Sequence, residues 1–266
     1  MKEQIRKKRY QVELGPPKHD TEKLEADLEL FAQKYRRCLD SGYTVGITDN
    51  AMGLLAFQGA ETIEELGLPV KPDQVMIHLN TFHTKENLRE ILESCVKLGI
   101  RYLLIISGDG SDRLPKLQPS DLGVEGQVEA VTAVELIRYV HQQYPGVFEI
   151  GAAFNPYEPA DHEFEKLERK LAAGATYVIT QPIIEKNAVV DEMIRRYPGL
   201  TVFVEAWMSK RISLLSEAVG YEIPESTVFD PLKTLGELHR LYPTCGVYLS
   251  LLGFKTQYHL LDGIWQ

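Results

Sequence analysis

Cysteine is scarce in this chain of 266 residues: Cys38, Cys95 and Cys245 are odd in number and far apart. No Cys-x-x-Cys spacing occurs, so neither a disulfide framework nor a cysteine zinc site is expected, and a reducing cytoplasmic setting is the simplest address. Positive charge is also in deficit. With 29 Lys and Arg against 38 Asp and Glu the net charge is −9, the opposite of what a general nucleic-acid binder needs. No apolar run approaches the roughly 20 residues that cross a bilayer. The N-terminal MKEQIRKKRY is basic but is not followed by the apolar stretch of a secretory signal. Neither Gly-x-Gly-x-x-Gly after a strand nor a Gly-x-x-x-x-Gly-Lys-Ser/Thr loop is present, so no Rossmann or P-loop nucleotide site is expected.

The chain does hold alternating strand-like and helix-like segments. Tyr102–Ile106 is an unbroken apolar run, the pattern of a strand buried on both faces of a parallel sheet. It ends at Ser107-Gly108-Asp109-Gly110, where two glycines permit a sharp turn and a carboxylate sits at the strand exit. Similar strands are expected at Tyr10–Leu14, Tyr43–Thr48, Gln74–Leu79, Phe148–Ala153, Thr176–Thr180, Leu200–Glu205 and Gly246–Leu251. Helices are expected from about Thr21, over Thr84–Leu98, Glu125–Tyr144, Glu163–Ala173, Asn187–Tyr197, Lys210–Val219 and Pro231–Leu241. Eight strands separated by helices, without a linker or composition break, predict one (β/α)₈ TIM barrel spanning residues 1–266 as a single catalytic domain. A doubly wound open sheet is the competing arrangement.

In such folds ligands bind beyond the carboxyl ends of the strands. The residues at those ends include Glu13, Thr48 with Asp49, His78 with Asn80, Asp109, Phe154 with Asn155, Gln181, Glu205 and Ser250. Glu13 lies between Val12 and Leu14, so partial desolvation would raise its pKa, as a general acid requires. His78 ends an apolar strand and reads equally as a core histidine or a ligand-binding one. Gln181 offers an amide that both donates and accepts, suited to a heterocycle edge. Arg169 and Lys170 read as a solvated helix face or as phosphate-binding cations. No metal-ligand spacing is found.

These residues fall in motifs that resemble the methylenetetrahydrofolate reductase family. Glu13-Leu-Gly-Pro-Pro17 resembles its first-strand E-x-x-P-P, His78-Leu79 its H-L strand end, and Gly99-Ile-Arg followed by Ser107-Gly108-Asp109 its G-I-R and R-G-D. Ser120-Asp121-Leu122 resembles S-D-L. Leu167–Gln181 is similar to L-K-x-K-x-D-A-G-A-x-x-x-I-T-Q. The matches run in order over roughly residues 10–185. The resemblance implies NAD(P)H-dependent reduction of 5,10-methylenetetrahydrofolate to 5-methyltetrahydrofolate, normally through bound FAD, in one-carbon and methionine metabolism. It implies Glu13 as the general acid, Asp109 near the flavin and pterin, and Gln181 on the pterin or nicotinamide. Thr48, His78, Ser107, Gly108, Phe154, Glu163, Arg169 and Lys170 fall where the family holds FAD.

Two departures bear on the flavin: Ser107 replaces the arginine of R-G-D, and Asn155-Pro-Tyr-Glu-Pro159 replaces P-E-x-H-P, with Glu158 standing in place of histidine. FMN, or direct hydride transfer from NAD(P)H, therefore stays open beside FAD. A tetrahydrofolate-dependent methyltransferase and a non-catalytic folate-binding partner subunit are the alternative functions, and a homo-oligomer or a partner protein is compatible with either.

Overall fold

The computed structural model describes residues 1–7 and 9–264. The helices are α1 (Lys2–Arg6), α2 (Leu24–Asp40), α3 (Gly59–Glu65), α4 (Lys85–Leu98), α5 (Ala133–Gln143), α6 (Ala160–Ala173), α7 (Ala188–Arg196), α8 (Ile212–Val219) and α9 (Pro231–Leu241). The strands are β1 (Gln11–Leu14), β2 (Thr44–Ile47), β3 (Val75–Leu79), β4 (Tyr102–Ile105), β5 (Glu149–Phe154), β6 (Ala175–Pro182), β7 (Thr201–Trp207) and β8 (Gly246–Ser250). They hydrogen-bond in sequence order into a closed parallel barrel. The expected (β/α)₈ barrel is thus the observed fold, and the open doubly wound sheet is not.

By its internal contacts the chain gathers into two compact units. One comprises Met1–Glu13, Ala153–Glu168 and Tyr177–Gln266; the other comprises Leu14–Ala152 and Arg169–Thr176. In the second, β2, β3 and β4 are buried at every position. Their apolar residues face helices on one side and the barrel on the other, which is why no polar alternation shows in their sequences. In the first, β7 and β8 pair from Phe203↔Gly246 to Trp207↔Ser250, and β1 joins β8 through Gln11↔Tyr248 and Val12↔Leu249.

Several boundaries differ from the sequence expectation. The helix expected from Glu125 begins only at Ala133. Thr132 caps it: its hydroxyl accepts from the Val134 N–H, and Glu135 accepts from the Thr132 N–H at 2.9 Å. This reciprocal capping satisfies amides the helix leaves unpaired. Gly126, with φ of +74°, belongs to the turn before it. Strand β6 runs on to Pro182, so Gln181 lies within the strand and not past its end. The β6–β7 register slips between Ile179 and Pro182, an irregularity of the kind that re-aims a side chain. Strand β7 likewise continues two residues beyond Glu205.

Gly246 opens β8 because its space is already filled: a Cβ there would stand 2.2 Å from the buried Phe203 ring and 3.0 Å from Ile5. The ring is fully enclosed and cannot yield, so Gly246→Ala is expected to cost about 1–3 kcal/mol of stability by overpacking. Urea unfolding of the two proteins measures it, and an unchanged midpoint would refute it.

Candidate active site

In the unit that holds β1, β7 and β8, Glu13, Glu205 and Tyr248 are brought together at the carboxyl ends of the strands. Glu205 is the direct register partner of Tyr248, and the Tyr248 hydroxyl donates to Glu13 Oε2 at 3.0 Å. Successive strand residues face opposite sides, so Glu205 shares a face with Trp207, and Tyr248 with Ser250. The Glu205 backbone is pinned on both sides, its N–H donating to Thr180 Oγ1 at 3.1 Å and its carbonyl accepting from Ile183 at 2.9 Å. Tyr248 is fully enclosed, whereas both carboxylates are recessed yet keep partial access to solvent.

The electrostatics of this cluster follow from its setting. Burial raises the Glu13 carboxyl above its ordinary range, while the Tyr248 hydroxyl and the Leu251 backbone N–H favour its ionised form. Leu251 supplies that N–H from a left-handed backbone, φ +53°, which a leucine adopts only under constraint. Burial, then the nearby Glu13 charge, pushes Glu205 up to about 8, with Ser250 opposing. Ser250 Oγ is buried beside it without a well-formed hydrogen bond. Tyr248 is held neutral by burial and by both glutamates. The buried Trp207 indole N–H meets no acceptor among the described residues. An unmet buried donor is costly, and a ligand acceptor would relieve that cost.

Gln181 belongs to the same unit, on irregular β6 and partly exposed. Phe154, at the end of β5, is fully buried with its ring tilted against Phe164 at 5.8 Å. Glu163, 1% exposed, accepts from the Asn155 N–H at 2.9 Å and pairs with Lys166 at 2.7 Å.

The other unit carries a second polar cluster. Buried Asp49 accepts from the Asn80 N–H at 2.8 Å and lies 2.7 Å from His83 Nε2. Asn80 returns a bond to the Asp49 carbonyl at 2.8 Å. His78, on β3, is buried, and its pKa falls to about 4 through burial against a smaller opposing pull from Asp49; it is neutral at physiological pH. Asp109 is exposed and accepts from the Met52 N–H at 2.8 Å, holding a residue whose φ is +59°. Gly108 and Gly110 take left-handed conformations, and a Cβ on them would meet Asn80 at 2.9 Å and the Phe82 ring at 2.3 Å.

Ser107 is exposed, its carbonyl accepting from the Thr81 hydroxyl at 2.8 Å. Thr48, partly exposed, donates its N–H to the Leu14 carbonyl at 3.2 Å. Arg169 is exposed 3.8 Å from Glu135, and neighbouring Lys170 is buried. Among the described residues, no group of three or more His, Cys, Asp and Glu could hold a metal ion. No helix among them is long and apolar enough to cross a membrane.

Sequence reasoning placed Glu205 at a strand end without giving it a role, and it passed over Tyr248. Glu205 carried a usable signal: an isolated acid in the apolar run Val-Phe-Val-Glu-Ala-Trp. Tyr248 carried none, since a tyrosine inside Gly-Val-Tyr-Leu-Ser reads as ordinary strand.

A parallel (β/α)₈ barrel with recessed acids at the carboxyl ends of its strands defines the class of molecule. The methylenetetrahydrofolate reductase family model matches residues 1–195, and the chain belongs to that family. It is 28% identical over 176 residues to methylenetetrahydrofolate reductase 2 of Schizosaccharomyces pombe, a match covering 61% of this chain and 24% of that protein. The chain thus spans about a quarter of that relative. Among solved structures it resembles an uncharacterized Clostridium thermocellum protein that binds two copies of 5-methyl-5,6,7,8-tetrahydrofolic acid. That match has a TM-score of 0.67 and 14% identity, covering 99% of this chain and 96% of the other. A 2,3-dimethylmalate lyase of the PEP mutase/isocitrate lyase superfamily has TM-score 0.52 and 10% identity, covering 99% and 83%.

The Asp109–Met52 bond predicts that Asp109→Ala loosens the Met52 loop whatever else Asp109 does. Amide exchange at Met52 should quicken roughly tenfold, the effect of losing one hydrogen bond of ~1.4 kcal/mol. Unaltered exchange would show the strained residue is held by other means.

Proposed function

We propose that this protein reduces 5,10-methylenetetrahydrofolate to 5-methyltetrahydrofolate with NAD(P)H as hydride source. The observation that carries the reading is the pair of recessed, partly accessible carboxyl groups, Glu13, which accepts from the Tyr248 hydroxyl, and Glu205, the register partner of Tyr248. Family membership supports it, as does the folate bound by the similar Clostridium thermocellum barrel.

The reaction needs a proton before it needs a hydride. Protonation at N10 breaks the bond between the bridging carbon and N10 and leaves an iminium at N5. Hydride from the dihydronicotinamide then adds to that carbon to give the N5-methyl group and the oxidised nicotinamide. A carboxyl group with a raised pKa supplies the proton at neutral pH. An ionised one beside it stabilises the cationic iminium. Glu13 is the member of the pair that matches the family motif. Gln181, which belongs to the same unit as Glu13 and Glu205, binds the pterin edge in this reading.

A flavin, which would supply hydride relay when bound, is less well served. Phe154 is packed into the core, Glu163 is engaged by Lys166 and the Asn155 N–H, and the space beside Gly108 and Gly110 is filled by Asn80 and Phe82. Those commitments do not fit a flavin cradle, so hydride passes directly from NAD(P)H in this reading. A folate-binding protein without turnover is the second reading, favoured by the similar barrel being described only as a folate binder.

NADH or NADPH oxidation that depends on methylenetetrahydrofolate is the test. It should proceed with no flavin absorption in the purified protein and no gain from added FAD. Glu13→Gln should retain 5-methyltetrahydrofolate binding and slow reduction by roughly a hundredfold or more, the scale of acid–base catalysis. Folate binding with no nicotinamide oxidation would support the non-catalytic reading instead.

A further inference from the structure

We propose that Trp207 and Ser250 form the subsite that holds the aminobenzoyl arm of the folate, the indole N–H donating to the arm's amide carbonyl and the Ser250 hydroxyl completing the contact. This rests on the folate reading above and deepens it by naming what fixes the substrate beyond its pterin. Both residues lie outside residues 1–195, the part that the family model matches. The assignment therefore comes from this chain's own last strands.

Both polar atoms are buried, and neither has a well-formed hydrogen bond among the described residues. Trp207 is 7% exposed and Ser250 2%. An indole N–H only donates, so whatever satisfies it must bring an acceptor. The backbone does not supply one by shifting, because it is fixed on both strands. Trp207 and Ser250 are direct register partners at the ends of β7 and β8. Next to them the Met208 N–H donates to the Ser250 carbonyl at 3.0 Å, and the Met208 carbonyl accepts from Gln257 Nε2 at 2.9 Å. The Trp207 ring clusters with Leu215 and Val219 of α8, bordered by Tyr157, Ile184, Leu214 and Phe229. That border is only partly buried, so a small turn of the ring brings the enclosed N–H to an entering acceptor.

Spacing along the strands picks out the acceptor. The pairs Glu205↔Tyr248 and Trp207↔Ser250 share one face, two residues apart. The second pair is a step of about 6–7 Å nearer the carboxyl ends of the strands. Tyr248 in turn holds Glu13 at 3.0 Å. A folate whose N10 meets this layer of carboxyl groups carries its benzene ring outward, and the amide carbonyl follows at the far end of that ring. The length of one para-substituted ring matches the step between the two layers. The acceptors of the pterin lie on the other side of N10.

Nitrogen-15 NMR of the indole groups tests the assignment. The chain holds two tryptophans, Trp207 and Trp265, so Trp265→Phe leaves the Trp207 peak alone in the spectrum. Saturating 5-methyltetrahydrofolate should move that peak downfield, whereas 6-methyltetrahydropterin, which lacks the arm, should leave it in place. Trp207→Phe, which keeps an aromatic ring, should weaken 5-methyltetrahydrofolate binding roughly tenfold, the scale of one hydrogen bond, and leave binding of the pterin unchanged. A Trp207 peak unmoved by bound 5-methyltetrahydrofolate, or an equal loss for both ligands in Trp207→Phe, would overturn the subsite. A shifted peak without nicotinamide oxidation would remove the reduction reading and leave the subsite standing. No binding of 5-methyltetrahydrofolate by the wild type would overturn both.

Discussion

One hydrogen bond, from the Tyr248 hydroxyl to Glu13, sets the character of this protein's acid cluster. Burial alone would raise every carboxyl in the barrel, since a low-dielectric setting penalises charge. The phenol breaks that equivalence by favouring charge on Glu13. The Glu13 charge in turn disfavours ionisation of Glu205 on the next strand but one. Burial thus raises both carboxyls above their ordinary range, by different balances of opposing groups, and the pairing of β1, β8 and β7 brings them together.

The unit with β2, β3 and β4 spends its polar residues differently. Asp49 gathers the Asn80 N–H and His83, and Asn80 bonds back to the Asp49 carbonyl. Buried polar groups that satisfy one another in this way rigidify the strand ends. Asp109 fixes Met52 in a left-handed conformation, and Gly108 and Gly110 let Phe82 and Asn80 pack against bare backbone. Residues that look like ligand contacts in a motif are here also the scaffold of their own loop. Phe154 and Glu163 show the same double reading, one ring in the core and one carboxylate tied to Lys166.

Legibility differed by residue for physical reasons. Strand β4 was readable because burial on both faces leaves an unbroken apolar run. The start of α5 was misread by eight residues because hydrophobic spacing continues through a segment that lacks helical backbone, and the Thr132–Glu135 cap overrides it. Gln181 was recognisable as a polar residue near a strand end, but the irregular β6–β7 pairing that surrounds it depends on the neighbouring strand.

The sequence by itself determined the alternation of strands and helices, the family and the position of Glu13, because these rest on local periodicity and on residues close together in the chain. Only the tertiary structure decided that Glu13 meets Tyr248, 235 residues away in sequence, and that Glu205 lies beside both. Closing the barrel brings the first strand against the last. A pKa set by that closure depends on distance through space, which spacing along the chain does not encode.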